Sequence, residues 1–263
     1  MSQNLSRIPQ DKWLEHHIDW IFNQGKTKEK GESSTDIQIV MRALRNAWYN
    51  ESSLIYPKDF EKRMQFPAWK IIQCYYSIFS SIVSFVRTFD SKTKGHDHIL
   101  NKYSTLITKE TIKKYFQTPI NIYLKQDGSL PDEVAKWRYP SSYNYDYNLK
   151  KIVEALQNIR QQENKQKRMT IPHFLKEFRD WAAYQDGYIF CRLYGQNIKT
   201  NLDRALINIC SAFLSQVEII LIKLYGLDTI TYQYMDLSKK LEQYIGIRNT
   251  NLDHRFAIYE KKI

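Results

Sequence analysis

The sequence predicts an all-α fold, and three observations predict it. Glycine and proline are scarce, eight and seven in 263 residues, whereas strands and tight turns use more of both. Apolar residues recur at spacings of three and four through most of the chain, which is the period of a helix face. No stretch alternates apolar and polar residues for more than a few positions. TITYQY at 229–234 comes closest to a strand.

The elements follow in order. A first helix is expected from about Pro9 to Phe22, with Trp13, Ile18, Ile21 and Phe22 on one face. GKTKEKGESS then reads as a charged linker. Ser34-Thr35-Asp36 offers N-cap oxygens for a second helix carrying Ile37, Val40, Met41, Leu44 and Trp48. The stretch from Ala68 to Val86 is apolar nearly all round. A helix of that kind must be surrounded by others, which makes it the expected centre of the fold. Further helices are expected at 98–106 and 109–123. QDGSLPDE then forms a turn, WRYPSSYNYDYN an irregular connection, and a long polar helix runs over 147–167. Pro172 restarts the chain, with helices over 172–185, 187–195, 200–225 and 234–244. Gly226 and Gly246 act as stops. The tail IRNTNLDHRFAIYEKKI is read as a short helix or strand. Tyr75, Phe79, Ile82, Ile209, Phe213 and Leu214 are the expected core.

The formal net charge of +11 points to a polyanionic partner, with nucleic acid first and an anionic membrane surface second. Cys74, Cys191 and Cys210 form no CxxC and sit in apolar helical segments. They are expected as buried free thiols of a reducing, cytoplasmic protein. No apolar signal region precedes Trp13. The longest charge-free run, Ile71 to Val86, is short of the roughly 20 residues a membrane span needs.

Several chemistries lack their motifs. There is no Walker loop, GxGxxG, GxSxG or HExxH. His16-His17 and His96-x-His98 lack the i, i+4 spacing of helical metal ligands, so neither a metal nor a cofactor is expected. PDEVAK at 131–136 reads as a capped helix start rather than a set of nuclease carboxylates. The run at 150–169 holds six basic and two acidic residues. Lys150, Lys151, Lys165, Lys167 and Arg168 are therefore candidates for phosphate contact, or else a cationic last turn that suits the helix dipole.

Residues 68–103, AWKIIQCYYSIFSSIVSFVRTFDSKTKGHDHILNKY, resemble the second and third helices of HEPN domains. Tyr75, Tyr76 and Phe79 occupy that family's aromatic YYxxF pattern, and Lys94, Gly95 and His96 its following loop. KWRYPSSYNYDYNLKKIVEALQNI at 136–159 resembles the family's Arg and Tyr-rich stretch before its last helix. The likeness covers about 37–162. It implies an antiparallel helical bundle over 35–162, preceded by a helix and linker at 1–34. An additional C-terminal helical region at 163–263 packs on the bundle.

The resemblance also implies RNA binding, RNA rather than DNA. It admits a metal-independent endoribonuclease of toxin or antiviral-defence type working as a homodimer. HEPN nucleases carry Arg, four to six residues, then His. The His transfers a proton and the Arg stabilises phosphate charge. Arg248 and His254 match, with Asn249 the polar residue after the Arg. Arg168 and His173 also match, but Pro172 interrupts them. On a straight helix Arg248 and His254 stand about 600° apart and face different ways. The segment must therefore bend, or a second subunit must supply a partner residue. The alternative pairing is Arg248 with Asp253, leaving His254 to solvent. The alternative function is a non-enzymatic helical scaffold that binds a protein partner through its aromatic surface.

Overall fold

A computed structural model describes residues 12–25, 36–55, 67–121, 123–127, 129, 157, 168–184, 199–246 and 248–262. Among these, the helices are α1 (Lys12–Phe22), α2 (Ile37–Ile55), α3 (Pro67–Phe89), α4 (His96–Leu106), α5 (Ile171–Tyr184), α6 (Lys199–Tyr225), α7 (Leu227–Ile245) and α8 (Thr250–Glu260). Among the described residues the fold is helical apart from 3-10 turns and one antiparallel pairing of two-residue strands. It joins β1 (Tyr123–Leu124) to β2 (Met169–Thr170), with Tyr123 opposite Thr170. Most of the expected linker, the polar helix at 147–167 except helical Gln157, and the helix at 187–195 lie outside the described residues. So do Lys150, Lys151, Lys165 and Lys167.

One cluster of buried side chains runs from Leu14 to Tyr259. Two helices share its centre. α3 packs on α2, α4, α5 and α6, and α6 also meets α1, α2 and α7. Every residue from Ser211 to Ile222 in α6 is buried. That helix is long and apolar enough to cross a membrane by composition, yet 78% of its apolar window lies inside this fold. It is a core helix with neighbours on all sides.

The closest helix pair, α2 and α3, is set by small residues. Ser77 donates to the Ala47 carbonyl (2.8 Å), and Ser84 donates to the Val40 carbonyl (2.9 Å). Seven residues separate the contacts on each helix, in opposite order, so the two run antiparallel. The short hydroxyls satisfy themselves on the facing backbone, which is affordable in a dry interface only because each finds an acceptor.

The N-cap of α2 is as the sequence implies. The Asp36 carboxylate accepts from the Gln38 amide (2.9 Å). Five of the six expected core residues are buried, while Ile209 is half-buried. Two expectations are corrected, the helix over 109–123 and the start of the helix expected at 234–244. The segment 109–123 is not one helix. It forms two 3-10 turns, Lys113–Phe116 and Pro119–Asn121, before β1. Pro119 has no amide hydrogen and disfavours a helical residue before it. Gln216 of α6 donates to the Tyr115 carbonyl and accepts from Asn121 (3.0 Å), so core side chains take over the backbone's partners. TITYQY is helical, because α7 begins at Leu227. Gly226 (φ 86°) ends α6 and precedes α7 without an intervening loop. The tail forms α8.

Candidate functional site

The site is built at the junction of α7 and α8. Gly246 closes α7 in the left-handed region (φ 69°), and its amide bonds the Glu242 carbonyl (3.1 Å). Asn249 then caps α8, its side-chain oxygen accepting from the Leu252 amide (3.0 Å). The Asn249 amide group donates to Glu51 (3.2 Å) and Ser52 (3.1 Å), which anchors the start of α8 to α2. Asn249 is buried, and all of these interactions hold the fold.

Arg248 stands before this cap, outside the helix. The angular argument for a straight helix therefore does not govern it. Arg248 and His254 line one open hollow of about 560 Å³, together with Tyr234, Thr250, Asp253, Phe256, Ala257 and Glu260. Asp253 accepts from Arg248 Nε (2.7 Å) and from the Tyr234 hydroxyl (2.7 Å). Tyr234 in turn stacks on Phe256, centroids 4.2 Å apart. The Arg248 side chain is 72% exposed. Asp253 holds its Nε edge, and that hydrogen bond raises the guanidinium pKa above its ordinary value. Among the described residues its Nη edge has no hydrogen-bond partner. Burial pushes the Tyr234 hydroxyl up, and Asp253 adds to this.

His254 is 20% exposed, with Nε2 3.7 Å from a Glu15 carboxylate oxygen. Burial lowers its pKa. Glu15 opposes the shift, while Arg255 and Lys261 reinforce it. The ring is thus neutral at pH 7, the form that can accept a proton. Both halves of the alternative reading touch this geometry. The Arg248–Asp253 pair is present, and His254 is tucked against α1 rather than turned to bulk solvent.

The buried side of α8 holds a charge centre that sequence reasoning missed. Arg255 is fully enclosed. It meets Glu51 through Nη1 (2.6 Å) and Nη2 (2.9 Å), and Glu218 through Nε and Nη2 (both 2.9 Å). Burial works against its charge, but Glu218 and Glu51 overcome this and hold its pKa well above the guanidinium norm. Trp48 Nε1 (2.7 Å) and the Tyr259 hydroxyl complete Glu218, while Ser211 (3.1 Å) and Asn249 complete Glu51. Each of the four carboxylate oxygens accepts two hydrogen bonds. One signal was available: Glu218 interrupts the apolar run VEIILI, and Glu51 falls on the core face of α2, three residues after Trp48.

The other candidates are placed differently. Arg168 donates through Nη1 to the Ser104 carbonyl (2.8 Å) and the Thr108 hydroxyl (3.0 Å), and lies over the Tyr123 ring. Its guanidinium ties the start of β2 to the C-terminal end of α4. His173, its partner in the second Arg-His spacing, is buried against Thr170. The aromatic residues that carry the family resemblance meet in space. Tyr75 stacks on Phe79, Phe79 stacks on His96 (4.1 Å), and Tyr75 Oη is 3.3 Å from His96 Nδ1. Arg179 of α5 lies over Tyr75 and Tyr76. Burial, then Arg179 and Lys176, lower the His96 pKa. Among the described residues no group of three His, Cys, Asp or Glu could hold a metal ion.

Comparison with family models, with curated proteins and with solved structures gives no match to this chain.

Proposed function

We propose that this chain is an RNA-binding, HEPN-like helical protein that cleaves RNA without a metal, as a cytoplasmic homodimer of toxin or defence type. The observation that carries the reading is the shared hollow. Arg248, with its Nη edge in solvent, and His254, neutral at pH 7, line the same surface recess although six positions apart in sequence. The family resemblance supplies the chemistry. Neutral His254 takes the proton of a 2′-hydroxyl, whose oxygen bonds to the adjacent phosphorus. The bond from phosphorus to the 5′-oxygen breaks, that oxygen takes a proton from water, and the imidazolium formed at His254 returns its proton to the resulting hydroxide. Arg248 offsets the charge on the phosphoryl oxygens.

The test is RNA cleavage in EDTA, run beside a sedimentation measurement. Cleavage by a dimer, abolished in Arg248→Ala and His254→Ala, supports the reading. Cleavage by a strict monomer removes the homodimer from it.

One observation favours the second reading, a protein-binding scaffold. α7 carries Tyr232, Met235, Tyr244 and Ile245 exposed, next to the hollow. Large apolar side chains gathered on one helix suit a protein surface. Robust association with a protein partner and no RNA binding at low salt would favour it.

A further inference from the structure

A second recess lies between the loop at 90–95 and the outer face of α4. Its volume is about 570 Å³, and its lining is Lys92, Thr93, Lys94, His98, Asn101, Lys102 and Thr105. Three ammonium groups surround it, with no carboxylate in the lining. Of the nearby acids, Asp90 pairs with the lining Lys102 (2.6 Å), which leaves Lys92 and Lys94 as the charges without a carboxylate partner among the described residues, and Asp97 faces Lys176 (3.8 Å).

The loop is shaped by its own hydrogen bonds. One Asp90 oxygen accepts from the amides of Lys92 and Thr93 (both 3.2 Å). The Lys102 ammonium beside Asp90 holds that carboxyl down at about 2, so the anchor stays ionised at any physiological pH. Gly95 then turns with φ 82° into α4. His98 Nδ1 donates to the Lys94 carbonyl (3.3 Å), which fastens the end of the loop to the helix. The result sets Lys92 and Lys94, which make no ion pair among the described residues, in one recess with Lys102, ten and eight positions later respectively.

We propose that this recess binds the phosphodiester backbone of single-stranded RNA, as a positioning surface separate from the Arg248–His254 hollow. The proposal rests on the RNA-binding reading above and adds where the strand lies. The chemistry fits a repeated anion. Ammonium groups contact phosphate oxygens as point charges, and the Thr93 hydroxyl and Asn101 amide can donate between them. Such contacts release counterions, so binding weakens steeply with salt.

The test is fluorescence anisotropy with a single-stranded RNA oligonucleotide across a salt series. It compares wild type, Lys92→Glu/Lys94→Glu, and a control, Lys125→Glu/Lys239→Glu, with the same change in net charge at exposed positions elsewhere. Melting curves confirm that each variant folds. The expected result for Lys92→Glu/Lys94→Glu is a loss of affinity on the order of tenfold or more, with the log–log salt slope shallower by roughly 1.4, two phosphates at about 0.7 each. The control should move far less. Equal losses in both variants would show bulk charge alone and overturn the proposal. Unchanged RNA affinity in Lys92→Glu/Lys94→Glu would also overturn it, leaving RNA binding intact and the recess open to another anion such as an acidic protein segment. A wild type that binds no RNA at low salt would overturn both this inference and the RNA-binding reading.

Discussion

Arg255 and Glu51 face each other through two hydrogen bonds of 2.6 and 2.9 Å at a point where neither side chain meets solvent. Glu218 closes the other side of the same guanidinium, so two carboxylates share one cation in the core. The arrangement joins α2, α6 and α8, and its partner Asn249 is also the cap that sets Arg248 at the surface.

Removing that cation strands two buried carboxylates. Arg255→Met should therefore cost about 3–5 kcal/mol of folding stability. Trp48→Phe, which deletes only one donor to Glu218, should cost less, about 1–3 kcal/mol. Urea denaturation at neutral pH measures both. An Arg255→Met variant as stable as the parent would refute the account of this centre.

The α2–α3 contact predicts a steric limit. Ser84 is buried with its hydroxyl on the Val40 carbonyl. Ser84→Leu should force the helices apart and cost about 1–3 kcal/mol. Thermal melting of the variant is the check, and an unchanged melting temperature would mean the helices are not held this closely.

His17 predicts an acid limb in stability. Its ring is buried, and Nε2–H donates to the Ala212 carbonyl (3.2 Å). Burial lowers its pKa to about 4, against the bond to Ala212, which raises it. The unfolded chain thus binds a proton near pH 6.5 that the folded chain refuses until about pH 4. Stability from this group is complete above pH 6.5 and is lost as pH falls toward 4, by up to about 3 kcal/mol. Urea midpoints measured across that range should fall, and less so in His17→Gln.

A similar sign applies to activity. The lowered pKa of His254 places its neutral form below the usual histidine range. Cleavage should hold constant near pH 7 and decline only as pH drops through that lowered value. A pH–rate profile that rises with acid would contradict a neutral His254 as base.

Helices were legible wherever apolar spacing was dense. α2, α3 and α6 bury the residues their periods place inward. The 109–123 segment failed because Ile112, Tyr115 and Phe116 keep helical spacing, while Pro119 and the side chains of Gln216 and Asn121 dictate the turns. Those partners lie about a hundred residues apart in sequence. Arg248 and His254 were singled out by the Arg–His spacing that the family resemblance implies. Their common recess was not legible, because it depends on Asn249, rather than Arg248, being the cap. The Lys92–Lys94–Lys102 recess was hidden for a similar reason. Only the turn around Asp90 brings the loop lysines beside the helix.

The most direct measurement is cleavage of a single-stranded RNA in EDTA by wild type and by His254→Ala at matched folding stability. The account predicts fragments ending in 2′,3′-cyclic phosphate from wild type, and a rate lower by about 10²–10⁴-fold in the variant. Intact RNA with wild type, or an undiminished rate in His254→Ala, would contradict it.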